Sequence, residues 1–347
     1  MDTRRWVRGG CVGKGSFGMV SLALDRANGG IFAVKSVCLN SAPPHAIAAL
    51  ENEIRLLSSL DSPHVIAYLG EDVTEEPSRG GRCRNLHLEY LPHGTLADAA
   101  AARKLGEHEI RDYARSIALA LQYLHFTAGV VHGDIKGRNV LLRSAPGMAR
   151  LSDFGSARRL SDVSAKVRGS GTPLWMAPEV ARGEAVTRAS DVWSLGCTVI
   201  EMADRVRRPW GELRSRSNAS AQLYQIGFGK DVPKFPVGLS WTARDFLDKC
   251  LKRDPTERWS CEQLLQHSFL SNSLNEAGPS PRSVLSFAES ELEFGHEGDD
   301  YDDDDGGKCG YEDSLGAESS RARERIRQLA PMVRSNWTDE GWVSVRG

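Results

Sequence analysis

The chain has 347 residues, 40% of them hydrophobic, with 46 acidic side chains against 44 Lys+Arg, which is enough to bury a full core and more than one ordinary domain needs. The near-neutral balance is unevenly divided: from residue 273 onward there are 17 Asp and Glu against 8 Lys and Arg, so a body of about +7 carries a tail of about −9. No run of interleaved arginine and aromatic residues suggests a nucleic-acid groove, no stretch approaches the ~18 apolar residues of a membrane span, and the seven scattered cysteines, without a Cys-x-x-Cys pair, indicate neither a disulfide framework nor a zinc site.

Residues 6–37 alternate apolar and polar positions around glycine turns, as in Gly18-Met19-Val20-Ser21-Leu22-Ala23-Leu24, and predict a strand meander. From Ala46 to Leu60, Ala46, Leu50, Ile54 and Leu57 recur at helical spacing, and the helix stops before Pro63. Strand-like runs follow at Val65 to Leu69 and Leu86 to Leu91. The polar, glycine-bearing stretch between them, Thr74 to Arg84, reads as an exposed hairpin loop. From Glu107 onward Ile110, Tyr113, Ala114, Ile117, Ala118, Leu121 and Leu124 mark one helix face, and further helices are predicted at Arg188 to Ala203 and Trp241 to Leu251. The fold class is α+β: a mostly β small lobe joined near Leu91-Pro92-His93-Gly94 to a mostly helical large lobe, with the site in the cleft between them. After Leu270, Ser, Gly, Pro and acidic residues, including Asp299 to Asp305, predict a largely disordered tail. Arg321 to Met332 reads as a short basic helix, and Asn336 to Val345 as a strand-like motif with two tryptophans.

Gly13, Gly15 and Gly18 form a G-x-G-x-x-G run that would let two strands turn tightly and bring backbone N–H groups over phosphates. A strand rather than a helix follows it, which argues against a dinucleotide fold. Near the middle lies His132-Gly133-Asp134-Ile135-Lys136-Gly137-Arg138-Asn139, and beyond a short hairpin Asp153-Phe154-Gly155. An aspartate placed to take a hydroxyl proton, an asparagine five residues on and a second aspartate can together hold magnesium and a phosphoryl acceptor. Ala33-Val34-Lys35 stands upstream; Gly171-Thr172-Pro173-Leu174-Trp175-Met176-Ala177-Pro178-Glu179 and Asp191-Val192-Trp193-Ser194-Leu195-Gly196 stand downstream.

With these motifs in this order, residues 6–270 resemble the protein kinase family, with a small lobe at 6–91, a large lobe at 92–270 and a tail at 271–347. The resemblance implies ATP and Mg2+ as cofactors. It places Val12, Gly13, Gly15, Ser16, Phe17 and Gly18 over the nucleotide and Lys35 on its phosphates. The carboxylate that positions Lys35 would be Glu53 rather than Glu51, because Glu53 directly precedes Ile54 and lies one turn before Leu57, on the inward side. Val20 and Ala33 from above and Leu141 from below would sandwich adenine, Glu89 C=O and Leu91 N–H would bind its edge, and Leu88 would guard the rear pocket. Leu57, Tyr68, His132 and Phe154 would stack into a column between the lobes. Asp134 would orient the acceptor hydroxyl, and Asn139 and Asp153 would hold magnesium. Lys136 follows the pattern of serine/threonine kinases, with Thr172 bridging it to Asp134. Glu179 and Arg258 would form an ion pair, Asp191 would hold the catalytic loop, and the Ala177-Pro178-Glu179 segment implies a protein substrate.

Most kinases have an arginine where this chain has Gly133, to pair with a phosphate on the activation loop. Arg168 stands where related kinases carry the phosphorylated residue, although Ser161, Ser164 and Ser170 are nearby, so dependence on loop phosphorylation is not expected. The motif wording from Gly171 to Val180 resembles the MAP kinase kinase kinase branch. The compact size, Gly133, and a tail ending in Gly341-Trp342-Val343-Ser344-Val345-Arg346 resemble its plant members linked to abscisic-acid and stress signalling. A MAP kinase kinase is then the expected partner and substrate. The rival reading is a pseudokinase scaffold, against which Lys35, Asp134, Asn139 and Asp153 are all present. Reduced thiols, and a start and end without signal-peptide, myristoylation or prenylation features, predict a cytoplasmic or nuclear location.

Overall fold

The computed structural model describes residues 6–15, 18–76, 79, 81–145, 147–162, 171–204, 209–211, 219–271 and 343–344. The small lobe holds β1 (Trp6–Gly15), β2 (Gly18–Asp25), β3 (Ile31–Cys38), α1 (Pro44–Leu57), β4 (Tyr68–Glu76) and β5 (Gly81–Glu89). The strands are antiparallel in the order β1-β2-β3-β5-β4. Because side chains alternate across a strand, Val20, Ala33, Lys35 and Leu88 share one face, and α1 packs into the same core through Ala46, Leu50, Ile54 and Leu57. The opposite face buries Trp6, Ala23, Phe32 and Val34 as a second apolar cluster.

That second face is closed by polar side chains. Arg8 Nη2 donates to Glu76 Oε1 at 2.7 Å and its Nε to Oε2 at 3.0 Å, while Trp6 Nε1 donates to Asp72 Oδ2 at 2.9 Å. Asn85 donates to Asp72 at 2.6 Å and to Thr74 at 2.9 Å. Strands β1 and β4, far apart in the ladder, are thus joined by side chains. Thr74 to Arg84 is therefore no exposed loop: β4 and β5 continue through it, and Thr74, Glu76 and Cys83 are buried. The predicted strands at 65–69 and 86–91 are accordingly displaced and too short. Their inward residues are polar because they serve Arg8, which erases the apolar alternation that marks a strand.

The large lobe begins with α2 (Leu96–Ala102), capped reciprocally by Thr95 and Asp98, and α3 (Glu107–Gln122), which runs into a wider turn closed by Gly129. Then come β6 (Val130–Val131), β7 (Val140–Leu142), β8 (Ala149–Leu151) and β9 (Arg158–Arg159), paired β6 with β9 and β7 with β8. Helices α4 (Pro178–Ala181), α5 (Arg188–Ala203), α6 (Ala219–Phe228), α7 (Trp241–Cys250), α8 (Cys261–Gln266) and α9 (Ser268–Ser271) complete the lobe. Helix α5 is buried from Ser190 to Ile200 and forms the lobe's axis. Across the lobes Ile66 N–H donates to Leu151 O at 2.9 Å and Leu151 N–H to His64 O at 2.8 Å. Near the C-terminus, β10 (Val343–Ser344) pairs antiparallel with the outer edge of β1, Arg8 opposite Val343 and Val7 opposite Ser344. The acidic run, the predicted basic helix and the rest of 272–342 lie outside the described residues. Among the described residues no helix is long and apolar enough to cross a membrane.

Candidate active site

The loop between β6 and β7 is pinned from below by Asp191 in the first turn of α5. Its Oδ2 accepts the His132 N–H and its Oδ1 the Gly133 N–H, both at 2.8 Å, and His125 Nε2 lies 2.9 Å from Oδ2. His132 Nδ1 accepts the Asp134 N–H at 3.2 Å, which assigns the ring's proton to Nε2, 3.1 Å from Ser152 O. Gly133 has φ +77°, and a Cβ there would stand 3.2 Å from Ser156 O, so left-handed backbone and a close neighbour both favour glycine.

Asp134 is held in a closed triangle. Thr172 Oγ1 donates to its Oδ1 at 2.7 Å, Lys136 Nζ to its Oδ2 at 2.6 Å, and Lys136 also donates to Thr172 Oγ1 at 2.7 Å. Asn139 Nδ2 adds a bond to Oδ2 at 3.0 Å and one to Asp134 O at 2.8 Å. A carboxylate has about four lone-pair sites. Three are occupied, which leaves one for an acceptor hydroxyl.

Above this loop Lys35 Nζ lies 2.5 Å from Glu53 Oε2 and 2.8 Å from Asp153 Oδ1. Lys35 and Glu53 are 4% and 1% exposed, so the three charges interact with little screening. Burial opposes the Lys35 charge, yet Glu53 and Asp153 outweigh it and hold the ammonium above its ordinary range. Burial pushes the Glu53 carboxyl up against the pull of Lys35, whereas for Asp153 burial is overcome by Lys35 and the carboxyl is drawn down. Glu51, the rejected alternative, is exposed and pairs with Arg84. Asp153 adopts φ +63°, a strained backbone for a residue with a side chain. Beside it Phe154 is fully buried, its ring 4.9 Å edge-on from His132. Leu57 is buried too, and Tyr68 packs partly buried in the same core.

Ala33 and Leu88 belong to the main apolar core, which runs through both lobes, and Val20 and Leu141 pack partly buried against it. Glu89 ends β5, and its carboxylate accepts the Ala67 N–H at 2.7 Å and forms an ion pair with Arg150 of β8; Leu91 follows outside the strand. At Gly18 a Cβ would meet Ser36 O at 2.7 Å, so strand packing alone demands glycine there. At Gly13 a Cβ would meet nothing within 4 Å. Among the described residues, packing therefore does not account for glycine at 13. Val12 and Gly15 lie in β1; Ser16 and Phe17 lie outside the described residues. Among the described residues no cluster of three His, Cys, Asp or Glu could hold a metal. Asp153 and Asn139 offer hard oxygen donors suited to Mg2+, with phosphate oxygens needed to complete its shell.

Several site contacts have no signature in the sequence. Asn52 in α1 donates to Ala157 O at 2.8 Å, tying α1 to the segment after Asp153. Glu201 in α5 accepts the Gly137 N–H at 2.9 Å and Trp175 Nε1–H at 3.2 Å. By contrast, the ion pair expected between Glu179 and Arg258 is present: Arg258 Nη1 and Nη2 donate to the two Glu179 oxygens, at 2.6 and 2.8 Å.

The family model for the protein kinase domain matches residues 6–270. Mitogen-activated protein kinase kinase kinase 17 of Arabidopsis thaliana is 43% identical over 267 residues, 76% of this chain and 69% of that protein. Mitogen-activated protein kinase kinase kinase 18 of the same plant is 42% identical over 273 residues, 77% of this chain and 78% of that protein. Mitogen-activated protein kinase kinase kinase 20, also from Arabidopsis thaliana, is 38% identical over 281 residues, 78% of this chain and 80% of that protein.

Proposed function

Because the chain belongs to the protein kinase family and is a serine/threonine protein kinase, we propose that it phosphorylates a MAP kinase kinase in a plant stress or abscisic-acid cascade, in the cytoplasm or nucleus. The observation that carries the reading is the closed Asp134–Lys136–Thr172 triangle beneath the Lys35–Glu53–Asp153 cluster. ATP supplies the phosphoryl group and magnesium offsets its charge. Asp134 aligns the acceptor serine or threonine hydroxyl through its remaining lone pair and takes its proton late. Lys136 is placed to neutralise charge developing beside that hydroxyl. Lys35, fixed from both sides by carboxylates, holds phosphate oxygens without rotamer search. Asn139 turns both amide hydrogens to Asp134, which frees its carbonyl oxygen for magnesium.

The pairing of Val343–Ser344 with β1 supports a tail that contacts the small lobe in cis, and the opposed charges of tail and body favour such contact. The acidic run is equally suited to a basic docking segment on the substrate. A pseudokinase scaffold is the alternative, and the complete set of charged groups weighs against it. Phosphate transfer from Mg-ATP to a panel of inactive MAP kinase kinases tests the reading. Lys35→Met and Asp134→Asn should each cut turnover roughly 10³-fold or more. Near-wild-type activity in either purified variant would refute the assignment, and nucleotide binding without transfer by the wild-type chain would favour the scaffold.

A further inference from the structure

We propose that Cys38 and Cys83 form a peroxide-oxidisable dithiol that closes into a reversible disulfide across β3 and β5. The two residues face each other at the last pair of the β3–β5 ladder. Leu39 N–H donates to Arg82 O at 2.8 Å, so the adjacent pair, Leu39 with Arg82, is the hydrogen-bonded one. Cys38 and Cys83 are then a non-hydrogen-bonded pair, the kind whose Cα atoms stand about 4.5 Å apart, within the ~4.4–6.8 Å that a disulfide spans. Their sulfurs are 3.0 Å apart, about 1 Å beyond the ~2.05 Å bond length. Small side-chain rotations suffice to close the gap.

The surroundings assign the order of events. Cys38 is partly exposed and Cys83 is buried. Cys38 Sγ–H donates to Arg79 O at 2.8 Å, while the Cys83 Sγ–H has both the Cys38 sulfur at 3.0 Å and Gly81 O at 3.7 Å within reach. Burial, then the hydrogen bond with Cys38 and the nearby Glu76 charge, push the Cys83 thiol up to about 12, so Cys83 stays protonated while Cys38 meets the oxidant. The Cys38 sulfur attacks hydrogen peroxide, cleaving the O–O bond to give Cys38 sulfenic acid and one water. The Cys83 sulfur then attacks the sulfenic sulfur, forming the S–S bond as its proton leaves with the hydroxide as a second water. Two thiols lose two electrons in all, and one peroxide gains them. The bridge closes a chain loop from 38 to 83 that contains α1 and β4.

The test uses the full chain, reduced and then exposed to hydrogen peroxide before the free thiols are blocked and the protein is digested with trypsin. Cleavage after Lys35 and Arg55, and on either side of Cys83 at Arg82 and Arg84, isolates the two cysteines on separate peptides. The expected product is the Ser36–Arg55 peptide linked to Cys83–Arg84, two hydrogens lighter than the pair and released by dithiothreitol. Oxidised protein should melt on the order of 5 °C higher, and Cys38→Ser should lose both the link and the shift. Recovery of both peptides separately blocked, while exposed Cys11 is oxidised, would overturn the proposal. So would cross-links that run only from either cysteine to Cys11 or Cys309. The wild-type mass measurement decides this even if a variant folds poorly.

Discussion

Replacing Arg258 with methionine is expected to destabilise the domain by roughly 3–5 kcal/mol. The guanidinium uses all five of its N–H donors: two on the Glu179 carboxylate, and three on the carbonyls of Lys252, Ala189 and Arg253 at 2.7, 2.9 and 3.2 Å. It also lies 5.1 Å from the Trp193 ring, and the side chains of Arg258 and Glu179 are 0% and 3% exposed. Methionine fills much of the volume but leaves a carboxylate charge buried without a partner, and that orphaned charge is the largest contribution. At about 2–4 °C per kcal/mol for a domain of this size, the melting temperature should fall by roughly 10 °C. Urea titration followed by tryptophan fluorescence measures the loss. The double variant Arg258→Met, Glu179→Met removes the orphan and should recover about 1–4 kcal/mol. Because Glu179 opens α4, directly after the segment bearing Thr172, the single variant should raise KM for a protein substrate more than for ATP. A loss under ~1 kcal/mol, or a double variant no more stable than the single one, would refute the account.

Three further outcomes are expected. Since Gly133 offers no guanidinium to a loop phosphate, and Lys136 and Thr172 bind the Asp134 carboxylate directly, phosphatase treatment should change the rate on an exogenous substrate less than about tenfold, ~1.4 kcal/mol; a larger drop would mean that another basic residue reads the loop. The hydrogen bond from Arg103, opposed by burial and aided by Gly106 N–H, lowers the Glu109 carboxyl from 4.5 to about 2. Its folded value is below its unfolded one, so it stabilises the fold above pH 4.5 and the contribution is lost as pH falls toward 2. The difference in urea midpoint between wild type and Glu109→Gln should therefore shrink from about pH 6 to about pH 3, and a gap independent of pH would contradict it. Truncation at Leu274 should raise the rate on a generic substrate if the tail restrains the body in cis, or raise KM only for the true partner if the tail docks it; no effect on either at low salt would dismiss both.

The motif strings could be picked out because their residues stand close in sequence, and the structure gathers the expected side chains in two groups, Lys35 with Glu53 and Asp153, and Asp134 with Asn139 and Thr172. Helices of three turns or more announced themselves by period: α3 and α5 begin at the predicted residues, Glu107 and Arg188. Short α2 and α8 have too few turns to show a period. Asn52, Arg150 and Glu201 escaped notice because each acts through polar contacts to residues remote in sequence, as Asn52 does with Ala157, Arg150 with Glu89 and Glu201 with Gly137. Cys38 and Cys83 looked scattered for the same reason. Only the strand register makes them neighbours.

The contacts between the lobes are of two kinds. The strap of His64 and Ile66 on Leu151, with the Glu89–Arg150 ion pair beside it, and the bond from Asn52 to Ala157 involve no group placed on nucleotide or acceptor. Lys35 on Asp153 and Glu53 on the Phe154 N–H are drawn from the site itself. Parting the lobes at α1 therefore takes the site apart, and closing them reassembles it, so lobe position and the state of the charged cluster are one variable read in two ways. Weakening Asn52 would shift that variable without any change in the groups that touch nucleotide or acceptor.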